Sequence, residues 1–136
     1  MIAVIRISGA VEINRDIEET LRRIRLHRKY SCTILQNTPE NLKLLRGIRD
    51  FVAYGRLNKE TLLLILEKRL KNKKVNAEKI AQDLEKKPIN KLDIKPFFRL
   101  HPPRGGIDSK KHFGVTKKSV LGDNREAIND LIRRML

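Results

Sequence analysis

The run IAVIRIS, Ile2 to Ser8, constrains the fold most, because it is β-branched and apolar on both faces apart from Arg6. Such a strand suits the middle of a sheet, covered on at least one side. It needs strands beside it and a helical cover, and the following residues offer both. Asn14 to Leu26 places Ile17, Leu21 and Ile24 at i, i+4 and i+7, the spacing of one apolar helix face. Glu18 and Glu19 stand four residues before Arg22 and Arg23, as on a solvated face. Tyr30 to Gln36 is again strand-like. In Thr38-Pro39-Glu40-Asn41 the threonine can cap a helix, the proline suits its first position, and the glutamate faces the positive end of the dipole. Leu42, Leu45 and Ile48 line that helix, and Phe51 to Arg56 returns to strand character. Residues 1–57 therefore predict a β-α-β-α-β core, a small two-layer α+β unit with its helices on one face of a sheet.

The remainder, residues 58–136, reads as an extension packed as one unit with that core. Asn58 is placed to cap a third helix whose Leu62 to Leu66 and Leu70 are too many for one narrow stripe. A basic connector, Lys71-Asn72-Lys73-Lys74, open to reading as a solvated turn or an RNA contact, precedes a short helix from Asn76. Ile80, Ala81 and Leu84 form the inner side of that helix, and Pro88 ends it. Gly122-Asp123-Asn124 marks a turn, Asp123 and Glu126 have capping-box spacing, and Ile128, Leu131, Ile132 and Met135 define a last amphipathic helix. Docking of this helix would pin both ends of the segment before it.

That segment, Phe98 to Lys118, holds six Lys/Arg against one Asp, two of the three histidines, a Pro-Pro and a Gly-Gly. Prolines stiffen the backbone, and paired glycines let it approach another molecule closely. The whole chain agrees: 31 Lys+Arg against 16 Asp+Glu leave a formal net charge of +15 on 136 residues, the balance of a nucleic-acid binder. A membrane partner would want a basic amphipathic helix with exposed aromatics or a lipidation signal, and neither is evident. The longest apolar run is also far below the roughly 20 residues of a membrane span. The single cysteine, Cys32, sits in an apolar run, as expected of a buried thiol in a reducing compartment. The opening residues lack the basic leader of a signal peptide, so an intracellular protein is expected.

His101 and His112 among cations could serve as acid and base on a phosphodiester, or could contact RNA without chemistry. Metal-ligand spacing and a P-loop are both missing, so no metal, cofactor or small-molecule substrate is expected. With aromatics at 4% and no Trp, extensive base stacking is not supported, and Phe97, Phe98 and Phe113 can either anchor the segment or stack. Recognition of shape and phosphates by Arg and Lys remains, the manner suited to folded RNA. The competing functions are an RNA-processing nuclease and a general nucleic-acid-binding protein.

AVIRISG at the start, TPENLKLLRGIRDFVAYG in the middle, and FRLHPPRGG, KHFG and NREAINDLIRRML near the end resemble the large-subunit ribosomal proteins of the L-thirty type, called L-seven in eukaryotes. The resemblance covers essentially the whole chain. Without the long basic extension of the eukaryotic members, it is similar to the archaeal form. The resemblance implies a ferredoxin-like core with a three-stranded antiparallel sheet, and no enzymatic activity. It also implies a structural role in the large subunit of cytoplasmic ribosomes, bound to large-subunit rRNA near 5S rRNA and beside other ribosomal proteins. Within the basic loop 97–118 it assigns RNA binding to Arg99, His101, Arg104, Gly105 and Gly106, and to Lys110, Lys111 and His112; Lys117 and Lys118, in the same basic stretch, are expected to bind RNA with them. Arg125 joins them at the opening of the final helix. Ser119-Val120-Leu121 departs from the glycine-rich stretch of many relatives.

Overall fold

A computed structural model describes every residue except 10, 12, 71–75 and 93, and the Lys71 to Lys74 connector thus lies outside the described residues. Strand β1 (Ile2–Arg6) runs through the interior of the sheet, antiparallel to β2 (Ser31–Leu35) on one side and to β3 (Val52–Arg56) on the other. Helix α2 (Pro39–Gly47) starts where its capping residue predicts, and α1 (Arg15–Arg23) lies within the expected Asn14 to Leu26. The Asn14 side chain accepts from the Asp16 N–H, and Thr38 Oγ1 accepts from the Asn41 N–H at 3.3 Å.

The period of two along β1 divides its side chains between two cores. Ile2 and Val4, with Val52 and Tyr54 of β3, pack under Leu21 of α1 and Leu45 of α2. Ala3 and Ile5, with Cys32, Ile34 and Ala53, face the other way, toward α3 (Lys59–Arg69), α4 (Ala77–Lys86) and α5 (Ile128–Met135). The α+β class is as expected, and α1 and α2 share a face. The extension covers the opposite face, so the sheet is the middle of three layers, which is why IAVIR is apolar on both sides.

The three-stranded antiparallel sheet expected of the core is the inner part of a larger one. Its order is β4-β2-β1-β3-β6-β5, six strands, with β4 (Phe98–Arg99) antiparallel to β2, β6 (Ser119–Asp123) parallel to β3, and β5 (Asp108–His112) parallel to β6. The stretch expected to be a loop thus supplies both edge strands, and Ser119 to Leu121, expected to lead into a turn, are a buried strand. DSKKH carries no alternation because an edge strand with exposed side chains buries almost nothing, and only pairing to β6 makes it a strand.

Two capping expectations need correction. Asp123 Oδ1 accepts from the Arg125 N–H at 2.9 Å, but Arg125–Ala127 form a 3₁₀ turn and α5 begins only at Ile128. The backbone N–H of Asn124 is bonded to Tyr54 O at 2.7 Å, which keeps it attached to β3 and delays the helix. Asn58 makes no side-chain cap. Its backbone N–H donates to Asn129 Oδ1 at 2.9 Å, and Asn129 Nδ2 donates to Arg56 O and Glu126 O at 3.0 and 2.8 Å, which fastens α5 to the end of β3.

Candidate nucleic-acid interface

Strand register determines which basic residues gather. Arg6 of β1 lies opposite Val52 at the start of β3, and Ser31 at the start of β2 lies opposite Arg99 at the end of β4. The parallel pairings place the starts of β6 and β5 at the same end of the sheet as the start of β3. The 100–107 connection therefore crosses that end, from one sheet edge to the other.

Its backbone is tied down along the way. Leu100 N–H donates to Tyr30 O at 3.1 Å, His101 N–H to Met135 O at 2.9 Å, and Arg104 N–H to Arg134 O at 3.1 Å. Arg134 Nε returns a bond to Arg104 O at 2.9 Å, its Nη2 donates to Gly106 O, and Lys118 Nζ donates to Gly105 O at 3.0 Å. Gly105 and Gly106 have φ of 79° and 73°, the left-handed region that glycine enters without a steric penalty. The side chains of Arg99, His101, Arg104 and Lys117 stay exposed. The result is a held main chain presenting exposed basic side chains, suited to an array of phosphates.

The other expected residues are placed elsewhere. Lys110 and Lys111 are exposed on β5, five strand spacings from β4, about 24 Å along the sheet. His112 Nε2 meets Asp50 Oδ1 at 2.8 Å, and its ring lies beside Gly122. His101 and His112 thus belong to opposite edges of the sheet, whereas an acid and base must both reach one phosphodiester. Arg125 follows the end of β6, away from the 100–107 crossing. It lines a cleft of about 780 Å³ with Arg46, Tyr54, Arg56 and Phe113. Burial, with Asp123 adding to it, pushes the Tyr54 phenol up, and Arg46 and Arg49 oppose this. Of the phenylalanines left open between anchor and stacker, Phe98 is in the core, while Phe113 is exposed with Val115.

Two arginines outside the expected set shape this end of the sheet. Arg134 was one cation among several on the last helix, and nothing local marks it as the partner of Gly106. Arg6 did have a signal, a charge inside an apolar strand. Its guanidinium is buried and donates to four carbonyls: Ser8 O at 3.0 Å, Leu26 O at 2.8 Å, His27 O at 3.0 Å and Gly9 O at 3.4 Å. Burial lowers its pKa from the ordinary arginine value, with Glu18 opposing, and the group stays charged.

Among the described residues, no group of three or more His, Cys, Asp or Glu could hold a metal ion, and no helix is long and apolar enough to cross a membrane. The family model described as ribosomal protein L30p/L7e matches residues 2–52. The large ribosomal subunit protein uL30 of Archaeoglobus fulgidus is 36% identical, with 99% of each chain covered. That of Methanococcus maripaludis is 34% identical over 98% of each, and that of Desulfurococcus amylolyticus 38% identical over 98% of this chain and 97% of the relative. Similar along nearly its whole length to these archaeal proteins, the chain belongs to the uL30 family of large ribosomal subunit proteins.

Proposed function

We propose that this uL30 protein binds large-subunit rRNA, in the neighbourhood of 5S rRNA, through the sheet end crossed by residues 100–107. As a family member it is a structural constituent of the large subunit of cytoplasmic ribosomes and serves in translation. The observation that carries the interface is the anchored 100–107 backbone, which holds Arg99, His101 and Arg104 in solvent at one end of the sheet. Lys110, Lys111, His112 and Arg125 form a second, separate set of contacts on the β5 edge and beside the cleft. Neighbouring ribosomal proteins complete the surroundings, and no residue is assigned a catalytic role.

Cosedimentation tests this: the tagged chain should travel with large subunits at moderate salt, and its crosslinks should include 5S rRNA. A chain found only at the top of the gradient refutes the ribosomal reading, and crosslinks lacking 5S rRNA refute the placement alone. Replacing Arg104 with alanine should weaken binding to rRNA by about 1 to 3 kcal/mol with a shallower salt dependence. We also propose that 1–57 and 58–136 work as one unit. The packing of Ala3, Ile5 and Ile34 against Leu62, Ile80 and Ile132 supports this. Residues 1–57 expressed alone should then expose that face and fail to give a cooperative melt.

A further inference from the structure

The turn between α1 and β2 carries Arg25, His27, Arg28 and Lys29, all exposed, while Ile24 and Leu26 between them are buried. None of these residues belongs to the sites above. The turn lies at the same sheet end as the 100–107 crossing, since Tyr30 O accepts from Leu100 N–H and Ser31 lies opposite Arg99. It is also built at a cost. Arg25 and Tyr30 hold φ of 66° and 65°, conformations that disfavour any residue with a Cβ. The surroundings enforce them: Arg6 grips Leu26 O and His27 O, Tyr30 N–H donates to Arg6 O at 2.7 Å, and Leu26 N–H to Leu21 O at 2.9 Å. Lys29 is held over the Tyr30 ring, its Nζ 5.1 Å from the centroid.

Backbone strain that the rest of the fold maintains is characteristic of a working surface. A buried guanidinium here restrains the main chain of a turn whose own cations face water. We infer that Arg25, Arg28 and Lys29 are a further phosphate-binding set, continuous with Arg99 and Arg104, that receives the backbone of folded rRNA, with Arg6 as its positioning residue. The inference rests on the rRNA reading above and extends it from one basic segment to a surface built by two.

The test uses the full chain and a transcript of archaeal large-subunit rRNA. The variant Arg25→Gln/Arg28→Gln/Lys29→Gln should bind at least about tenfold more weakly, and its slope of log K against log salt should be shallower by about 2 to 3. Lys79→Gln/Lys86→Gln/Lys87→Gln, an equal charge change at exposed positions on and just beyond α4, should lose much less. Arg25→Gly suits the left-handed backbone, so it should melt no lower than wild type and still bind more weakly. Lys29 should react with an acylating reagent in the free protein and be protected in the complex. If the turn variant keeps wild-type affinity and slope while Arg104→Gln loses both, the turn's role is refuted and the rRNA reading stands. If wild type binds duplex DNA as tightly as the transcript, the rRNA reading itself fails, and this inference with it.

Discussion

Replacing Arg6 with methionine tests how the basic end of the sheet is held. Methionine fills most of the volume without a donor, so Ser8 O, Gly9 O, Leu26 O and His27 O lose their shared partner. Three of the four bonds are 3.0 Å or shorter and one is 3.4 Å. Counting about 1 to 1.5 kcal/mol for each of the three good bonds gives about 3 to 4.5 kcal/mol. Release of a desolvated charge offsets part of this, since an apolar replacement no longer has to be stripped of water. A net loss of about 2 to 3 kcal/mol is expected, which for a chain of this length lowers the melting temperature by about 7 to 10 °C. Arg6→Lys keeps the charge but cannot fork to four carbonyls, so it should fall between the two. Thermal and urea melts of the three proteins check the order, and amide exchange should show faster opening at Leu26 and Tyr30 in Arg6→Met. A variant within about 2 °C of wild type, with unchanged exchange in the turn, would show that the four bonds carry no net stability and refute the reasoning.

Substitutions at three further positions probe the joints and the core of the fold. At Gly55 an added Cβ would collide with the carbonyl oxygen of Arg125 and lie 3.0 Å from Ile128 Cβ, so Gly55→Ala should cost about 1 to 3 kcal/mol in a urea melt as the 3₁₀ turn is pushed off β3. Asn129→Ala removes the partner of the Asn58 N–H and of two carbonyls and should cost about 1 to 3 kcal/mol, while Asn129→Asp keeps the acceptor, loses both donors, and should also melt below wild type. Burial pushes the Cys32 thiol from the ordinary 9.0 up to about 12, a Val4 backbone bond opposing, so the folded chain keeps a proton that the unfolded chain releases. Stability linked to Cys32 is therefore full below about pH 9 and is lost as pH rises toward 12, by up to about 1.4 kcal/mol per pH unit. Melts of wild type and Cys32→Ala should diverge in that window and stay parallel below it.

The helices and the three inner strands were legible because their signals are local. The cap at Thr38 acts within one turn, and Ile17 with Leu21, like Leu42 with Leu45, repeats at the helical period. The outer strands were not, since Asp108 to His112 is a strand only by virtue of its neighbour β6, and Ser119 to Asp123 is too short for its alternation to stand apart from the turn after it. The capping box at Asp123 failed for a related reason: a backbone bond from Asn124 to Tyr54, distant in sequence, competes with the helix start. In the candidate site, the exposed cations of Phe98 to Lys118 were visible as composition. Their division between two sheet edges was not, because distance along a chain says nothing about which edge a strand joins.

The amino-acid sequence by itself determined the α+β class, the chain's place among large-subunit ribosomal proteins and the excess of cations for a polyanion, since charge, period and motif are properties of the chain alone. The tertiary structure decided which cations stand together. Arg99 stands beside the Arg25 turn because β4 pairs with β2, while Lys110 is carried to the far edge because β5 pairs with β6. Only register brings residues so far apart in the chain together at one end of the sheet, and register is set by long-range pairing that no local stretch encodes.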